Sequence, residues 1–151
     1  MLTIRAMTGA KGYAERHLTY SDYLDEDAKV KGQWRGQAAE KLGLTGEIKF
    51  EDFERLRECE HPATGEFLRQ RRSEINFFDL TFSAPKSVSV MAILGEDRRL
   101  VDAHQRAVGE ALREMETVAA ARVRRGGANE DRRTGNMTVT VYHHDTSREL
   151  A

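Results

Sequence analysis

Three kinds of side chain in this sequence could share chemistry at phosphorus. Tyr13, Tyr20 and Tyr23 cluster near the N-terminus, Asp79 interrupts an apolar run (Phe77, Phe78, Leu80, Phe82), and His143 and His144 stand side by side near the end. A phenol becomes a usable nucleophile toward a phosphate once something lowers the cost of deprotonating it. A metal ion beside the phosphate polarises it and stabilises the leaving oxygen. Histidine supplies metal ligands, and a carboxylate behind an imidazole fixes its orientation. A tyrosine, Asp79 and His144 therefore make a coherent set if three elements converge. Each also has an ordinary reading. Tyrosines commonly pack their rings and hydrogen-bond their tips, and a lone carboxylate in an apolar strand is costly unless it is paired or used. His143 and His144 are adjacent, so on a strand they point to opposite faces and at most one reaches a shared metal.

Cations form the second candidate group. Arg69, Arg71 and Arg72 surround Gln70, Arg122, Arg124 and Arg125 precede Gly126-Gly127, and Arg132 and Arg133 follow. Each cluster is either a solvated surface or a set of phosphate contacts. The formal net charge is −1, so any case for nucleic acid rests on such local patches and not on a global field. One cysteine, Cys59, excludes an intrachain disulfide and a multi-cysteine metal site. No apolar run has the length of a membrane span and no signal-peptide core is present, so a cytoplasmic location is expected.

The elements that must position these groups follow from periodicity. The 151 residues suit one domain. Residues 1–7 alternate as a short strand, and Thr8 or Gly9 could open a helix over 10–18. Residues 35–42 read as a short helix stopped by Gly43, and 50–59 as another with Phe53 and Leu56 on one face. Residues 75–82 carry apolar groups on both parities, which predicts a central strand covered on both faces. Ser83-Ala84-Pro85 ends it, and Ser87 to Leu94 reads as an apolar helix beneath the sheet. A long amphipathic helix is predicted over 96–125, with Leu100, Val101, Val108, Leu112 and Met115 on one stripe and His104 in the seam. Its arginines would fall in the last turn and suit the helix dipole. Residues 136–144 alternate as a strand, with Tyr142 and His144 on one face. The sum is an α+β fold with a mostly antiparallel sheet.

Several stretches resemble the N-terminal part of a MobF-class conjugative relaxase of the TrwC/TraI-like family. They are MLTI at the start, GAKGYAERHLTYSDY, WRGQAAEKLGLTGE, FDLTFSAPKSVSV and HHDTSRE near the end. FDLTFSAPKSVSV is the most specific of them. The resemblance implies the N-terminal portion of a relaxase domain of the histidine–hydrophobic–histidine type, an antiparallel central sheet with flanking helices. It implies nicking of single-stranded plasmid DNA at an origin of transfer by tyrosine transesterification, leaving a 5′-phosphotyrosyl intermediate. Tyr13 matches the family's first tyrosine position and Tyr23 the second. The family often has tyrosine doublets, and here Ala14 and Leu24 stand where the second members would be. Asp79 matches the carboxylate that assists the site, and His144 the first of three histidine ligands for a divalent metal, magnesium or another.

By the same resemblance the other two ligands belong to a His-x-His segment beyond Ala151, so the metal site is expected to be incomplete over 1–151 and the chain alone inactive. The implied DNA contacts are Lys86, Arg122, Arg124, Arg125 and Arg148, and the implied partners are single-stranded plasmid DNA and other conjugation proteins. Two other functions stay open: a catalytically silent single-stranded DNA-binding fragment, and a regulatory interaction domain without nucleic acid.

Overall fold

The computed structural model describes residues 1–8, 32–69 and 74–143, except for the side chain of Phe50. These fall into two compact units, one holding 1–8, 32–34, 45–69, 74–83 and 140–143, the other 35–44 and 84–139. The predicted helix over 10–18 lies outside the described residues.

The first unit is built on an antiparallel ribbon of β1 (Leu2–Thr8) and β3 (Ile75–Phe82). The register pairs Leu2 with Phe82, Ile4 with Leu80 and Ala6 with Phe78, and on the other parity Thr3 with Thr81, Arg5 with Asp79 and Met7 with Phe77. Because side chains alternate along a strand, the face that carries Leu2, Ile4, Ala6, Phe78, Leu80 and Phe82 is apolar along these pairs and the other mixes polar and apolar groups. The Met1 ammonium, donating to the Ser83 carbonyl at 2.6 Å, ties off the ribbon end.

Helix α2 (Phe50–Arg57) carries Glu51 and Asp52 in its first turn and Arg55 and Arg57 in its last, which complements its dipole. Phe53 meets Phe77 edge-on, with ring centroids 5.8 Å apart. The predicted extension to Cys59 does not occur. Cys59 adopts φ 63°, and the Cys59 and Glu60 amides return to the Leu56 and Arg55 carbonyls. That is the Schellman pattern, with a cysteine in the left-handed position where glycine is usual. Among the described residues Met7 and Ile48 are buried apolar side chains of this unit, and Arg57 is buried against Glu54 at 2.6 Å. The short strands β2 (Gln33–Arg35) and β6 (Val139–Val141) pair with each other, and most of each belongs to this unit.

The second unit contains α1 (Gln37–Lys41), α3 (Lys86–Leu94) and α4 (Arg98–Thr117), followed by a hairpin of β4 (Ala120–Arg125) and β5 (Ala128–Arg133). Asp97 caps α4 by accepting from the Arg99 amide at 3.1 Å. The Arg99 guanidinium holds the Asp97 carboxyl below the usual carboxylate range. Leu100, Val101, His104, Val108, Leu112 and Met115 form a half-buried stripe, as their spacing predicts.

Three expectations fail here. The long helix stops at Thr117, not Arg125, and residues 120–133 are an antiparallel hairpin. Gly126 (φ 57°) and Gly127 (φ 86°) form its two-residue turn, a pair of left-handed positions that the twist of a hairpin demands. Helix α3 is also not buried: Met91, Ile93 and Leu94 are exposed. The α+β class with antiparallel pairing holds, in two-stranded sheets among the described residues, but β3 is not covered on both faces: Phe78 is 57% exposed.

Candidate functional site

Asp79 is placed by the ribbon register. Strand β3 pairs it with Arg5, so a guanidinium faces the carboxylate across the ladder. Opposed side chains on an antiparallel pair have Cβ atoms about 4.5–5.5 Å apart, within reach of one another. Among the described residues neither group makes an ion pair or side-chain hydrogen bond within 4.0 Å. Arg5 partly answers why a carboxylate survives in this apolar strand, and sequence reasoning missed it. The alternation of β1 carried the signal, because Arg5 shares its parity with Thr3 and Met7.

Tyr142 and His143 belong to the same unit as Asp79. Tyr142 lies over Gly32, where a Cβ would come within 2.6 Å of Ile48 Cδ1 and would also overlap the Tyr142 ring. Burial pushes the Tyr142 phenol above its ordinary pKa, partly offset by a hydrogen bond with Thr140. Tyr142 is thus a packing residue and a poor nucleophile at neutral pH. His143 is exposed. The predicted strand over 136–144 narrows to Val139–Val141.

In the second unit a separate cluster ties residues 136–137 to the start of α1. Glu116 Oε1, near the end of α4, accepts from the Gln37 amide at 2.7 Å and the Met137 amide at 2.9 Å. The Ala38 amide donates to the Met137 carbonyl at 3.1 Å, and Lys41 Nζ donates to Asn136 Oδ1 at 2.6 Å. Gly36 adopts φ 99°, and a Cβ there would overlap the Met137 carbonyl.

The same unit brings the predicted cations together on the hairpin. Arg122, Arg124 and Arg125 on β4 face a β5 that carries Arg132 and Arg133, and every residue of β5 is exposed. Only Arg122 has an acidic partner among the described residues, Asp131 at 3.4 Å, with both side chains about 70% exposed. These arginines are not in a helix, so they serve no helix dipole. They line a narrow two-stranded ribbon with two acidic residues, Glu130 and Asp131. Lys86 is exposed at the first residue of α3, where the helix dipole disfavours a cation, and a phosphate there would suit both. Among the described residues it has no ion-pair partner.

Tyr13, Tyr20, Tyr23, His144, Arg71, Arg72 and Arg148 lie outside the described residues. Among the described residues no three His, Cys, Asp or Glu side chains converge as a metal site. No described helix is long and apolar enough to cross a membrane.

Known proteins match the chain over nearly its whole length. Residues 7–151 match the family described as TrwC relaxase. The multifunctional conjugation protein TraI of Escherichia coli is 40% identical over 152 residues, covering 99% of this chain and 9% of TraI. A metal-free structure of the conjugative relaxase TrwC in complex with OriT DNA superposes with a TM-score of 0.78 at 34% identity, covering 98% of this chain and 51% of that one. A metal-bound structure of TrwC with OriT DNA gives 0.75 at 31% identity, covering 93% and 49%. The chain thus spans about half of these solved relatives and a small part of TraI.

Proposed function

The chain belongs to the TrwC relaxase family, and on that premise we propose that it is part of a relaxase that nicks one DNA strand at an origin of transfer and holds the cut end covalently. The observation that carries the DNA-binding half of this reading is the β4–β5 hairpin, with four arginines, Arg124, Arg125, Arg132 and Arg133, free of acidic partners among the described residues. A two-stranded ribbon is of a width that a duplex major groove admits, so a stem folded within the single strand is the form it fits best. Lys86 and Arg148 are proposed as further phosphate contacts.

In the reaction, a tyrosine oxygen attacks the scissile phosphorus and the bond to the 3′ oxygen breaks. The 3′ hydroxyl leaves with a proton, and the 5′ phosphate stays on the tyrosine. The phenol proton passes to a base. Tyr13 is the proposed nucleophile, with Tyr23 the second candidate, and Asp79 is the carboxylate that assists. TrwC has been solved metal-bound, and we extend a divalent metal to this family member with His144 as its ligand in this chain. Among the described residues no set of three such ligands converges.

The test is a labelled origin oligonucleotide incubated with a divalent salt and protein that carries the expected His-x-His segment, followed by denaturing electrophoresis. A protein–DNA adduct present in wild type and absent in Tyr13→Phe supports Tyr13. An adduct that persists in Tyr13→Phe and disappears in Tyr23→Phe reassigns the nucleophile. DNA binding without any adduct favours the silent binding reading. No binding even at low salt removes both.

A further inference from the structure

We infer that Glu116 is a positioning residue: its carboxylate latches residues 136–137 to the start of α1 and so sets the register of the strand that runs into Tyr142 and His143. One oxygen of Glu116 accepts two backbone amides, Gln37 at 2.7 Å and Met137 at 2.9 Å, from segments separated by about a hundred residues of sequence. Amide bonds to a carboxylate are charge-assisted and stronger than neutral ones. The second strap is the Ala38 amide on the Met137 carbonyl, and the third is Lys41 on Asn136. Both backbone polar groups of Met137 are therefore held, the amide by Glu116 and the carbonyl by Ala38. Only a glycine at position 36 lets the chain come this close to Met137. Two residues later β6 begins, and it pairs with β2, whose own end leads directly into Gly36.

The latch thus joins the two chain segments that form the β2–β6 pair, just beyond that pair. A strand slipped by one residue turns every side chain to the other face. A slip in β6 would move Tyr142 off Gly32 and turn His143 to the other face. The role of Glu116 in the reaction rests on the proposed nicking site, whereas the latch itself does not.

The experiment is amide hydrogen exchange on the 151-residue chain, comparing wild type, Glu116→Ala and Glu116→Gln. The glutamine keeps an Oε1 acceptor. In Glu116→Ala, exchange at Gln37 and from Met137 to Val141 is expected to speed by about tenfold, the loss of one good hydrogen bond. The β1–β3 ladder and the β4–β5 hairpin should be unchanged, and Glu116→Gln should restore most of the protection. Unchanged exchange at Met137 to Val141, or an equal rise across the whole chain, would overturn the latch. Adduct formation by protein that carries the expected His-x-His segment gives the second readout: a latch that serves the site lowers kcat in Glu116→Ala and leaves KM near wild type, with rescue by glutamine. A wild-type adduct rate retained in Glu116→Ala would overturn the positioning role. If wild-type protein that carries the expected His-x-His segment forms no adduct, the nicking proposal falls and the exchange data alone decide the latch.

Discussion

Arg5 and Asp79 oppose each other across the β1–β3 ladder, the only such pairing of opposite charges in that register. Their neighbours on the same face are Thr3, Met7, Phe77 and Thr81, so the pair forms a charged spot on a mixed surface. An opposed pair on a ribbon contributes roughly 0.2–1 kcal/mol, and the exposure of Arg5 places this one at the lower end.

Stability therefore gives little reason to keep Asp79, which leads to the first prediction. Asp79→Ala should lower the rate of adduct formation far more than it lowers DNA affinity, with a change in unfolding free energy of under about 1 kcal/mol. Arg5→Ala should match it in stability. Parallel measurement of cleavage, binding and urea unfolding decides the point. Equal losses of binding and cleavage in Asp79→Ala would make the carboxylate a structural group.

The second prediction concerns Gly36. Its φ of 99° lies in a region that disfavours any side chain, and a Cβ would overlap the Met137 carbonyl. Backbone strain of this kind costs about 1–3 kcal/mol, and moving Met137 would also disturb the Ala38 bond. Gly36→Ala should lower the urea midpoint by a corresponding amount without changing the slope. A midpoint equal to wild type would show that the segment relaxes freely.

The contrast between these two sites explains how much of the protein its sequence revealed. The β1–β3 ribbon was legible because alternation and β-branched or aromatic residues mark a strand regardless of what covers it. Asp79 was legible for the same reason, as a charge out of pattern. Residues 118–133 were not. The spacing that runs down α4 continues through Val118 and Ala119, so periodicity gave no stop, and Gly126-Gly127 reads equally as a helix terminator or a hairpin turn. Only the positive φ at both glycines separates the two. Glu116 and Gly36 were illegible for a different cause: their partner is the backbone of a segment remote in sequence, and no local pattern encodes that. The exposure of α3 also escaped the sequence, since apolar composition says that a face can be buried and not where its cover comes from.

The third prediction is a pH dependence. Burial raises the Tyr142 pKa above its ordinary value of 10.0. The folded protein then holds the phenol proton at pH values where the unfolded chain has begun to release it. The stability linked to the neutral phenol is fully present below about pH 10 and is lost as pH rises through the folded value. Tyr142→Phe removes that term. Its unfolding free energy, measured by urea at a series of alkaline pH values, should fall less steeply above about pH 10 than that of wild type. Identical slopes would mean that Tyr142 ionises as freely in the folded state as in the unfolded one.

The fourth prediction concerns the arginine hairpin, where exposure decides the outcome. Arg124, Arg125, Arg132 and Arg133 sit on strands with almost no buried side chain, so replacing them should leave folding intact. The fourfold change to glutamine removes charge and keeps polar length. If these groups neutralise phosphates, the slope of log affinity against log salt should become shallower. The change is about 0.7 for each phosphate no longer neutralised on a single strand, or about 0.9 on a duplex stem. A stem-forming oligonucleotide should lose more affinity than an unstructured one of equal length, because the ribbon has the width of a major groove. Far-ultraviolet circular dichroism and the urea midpoint provide the control for folding. A salt slope unchanged by removal of these four charges would move the DNA-binding surface away from the hairpin, toward Lys86, Arg148 or the Arg69, Arg71 and Arg72 cluster.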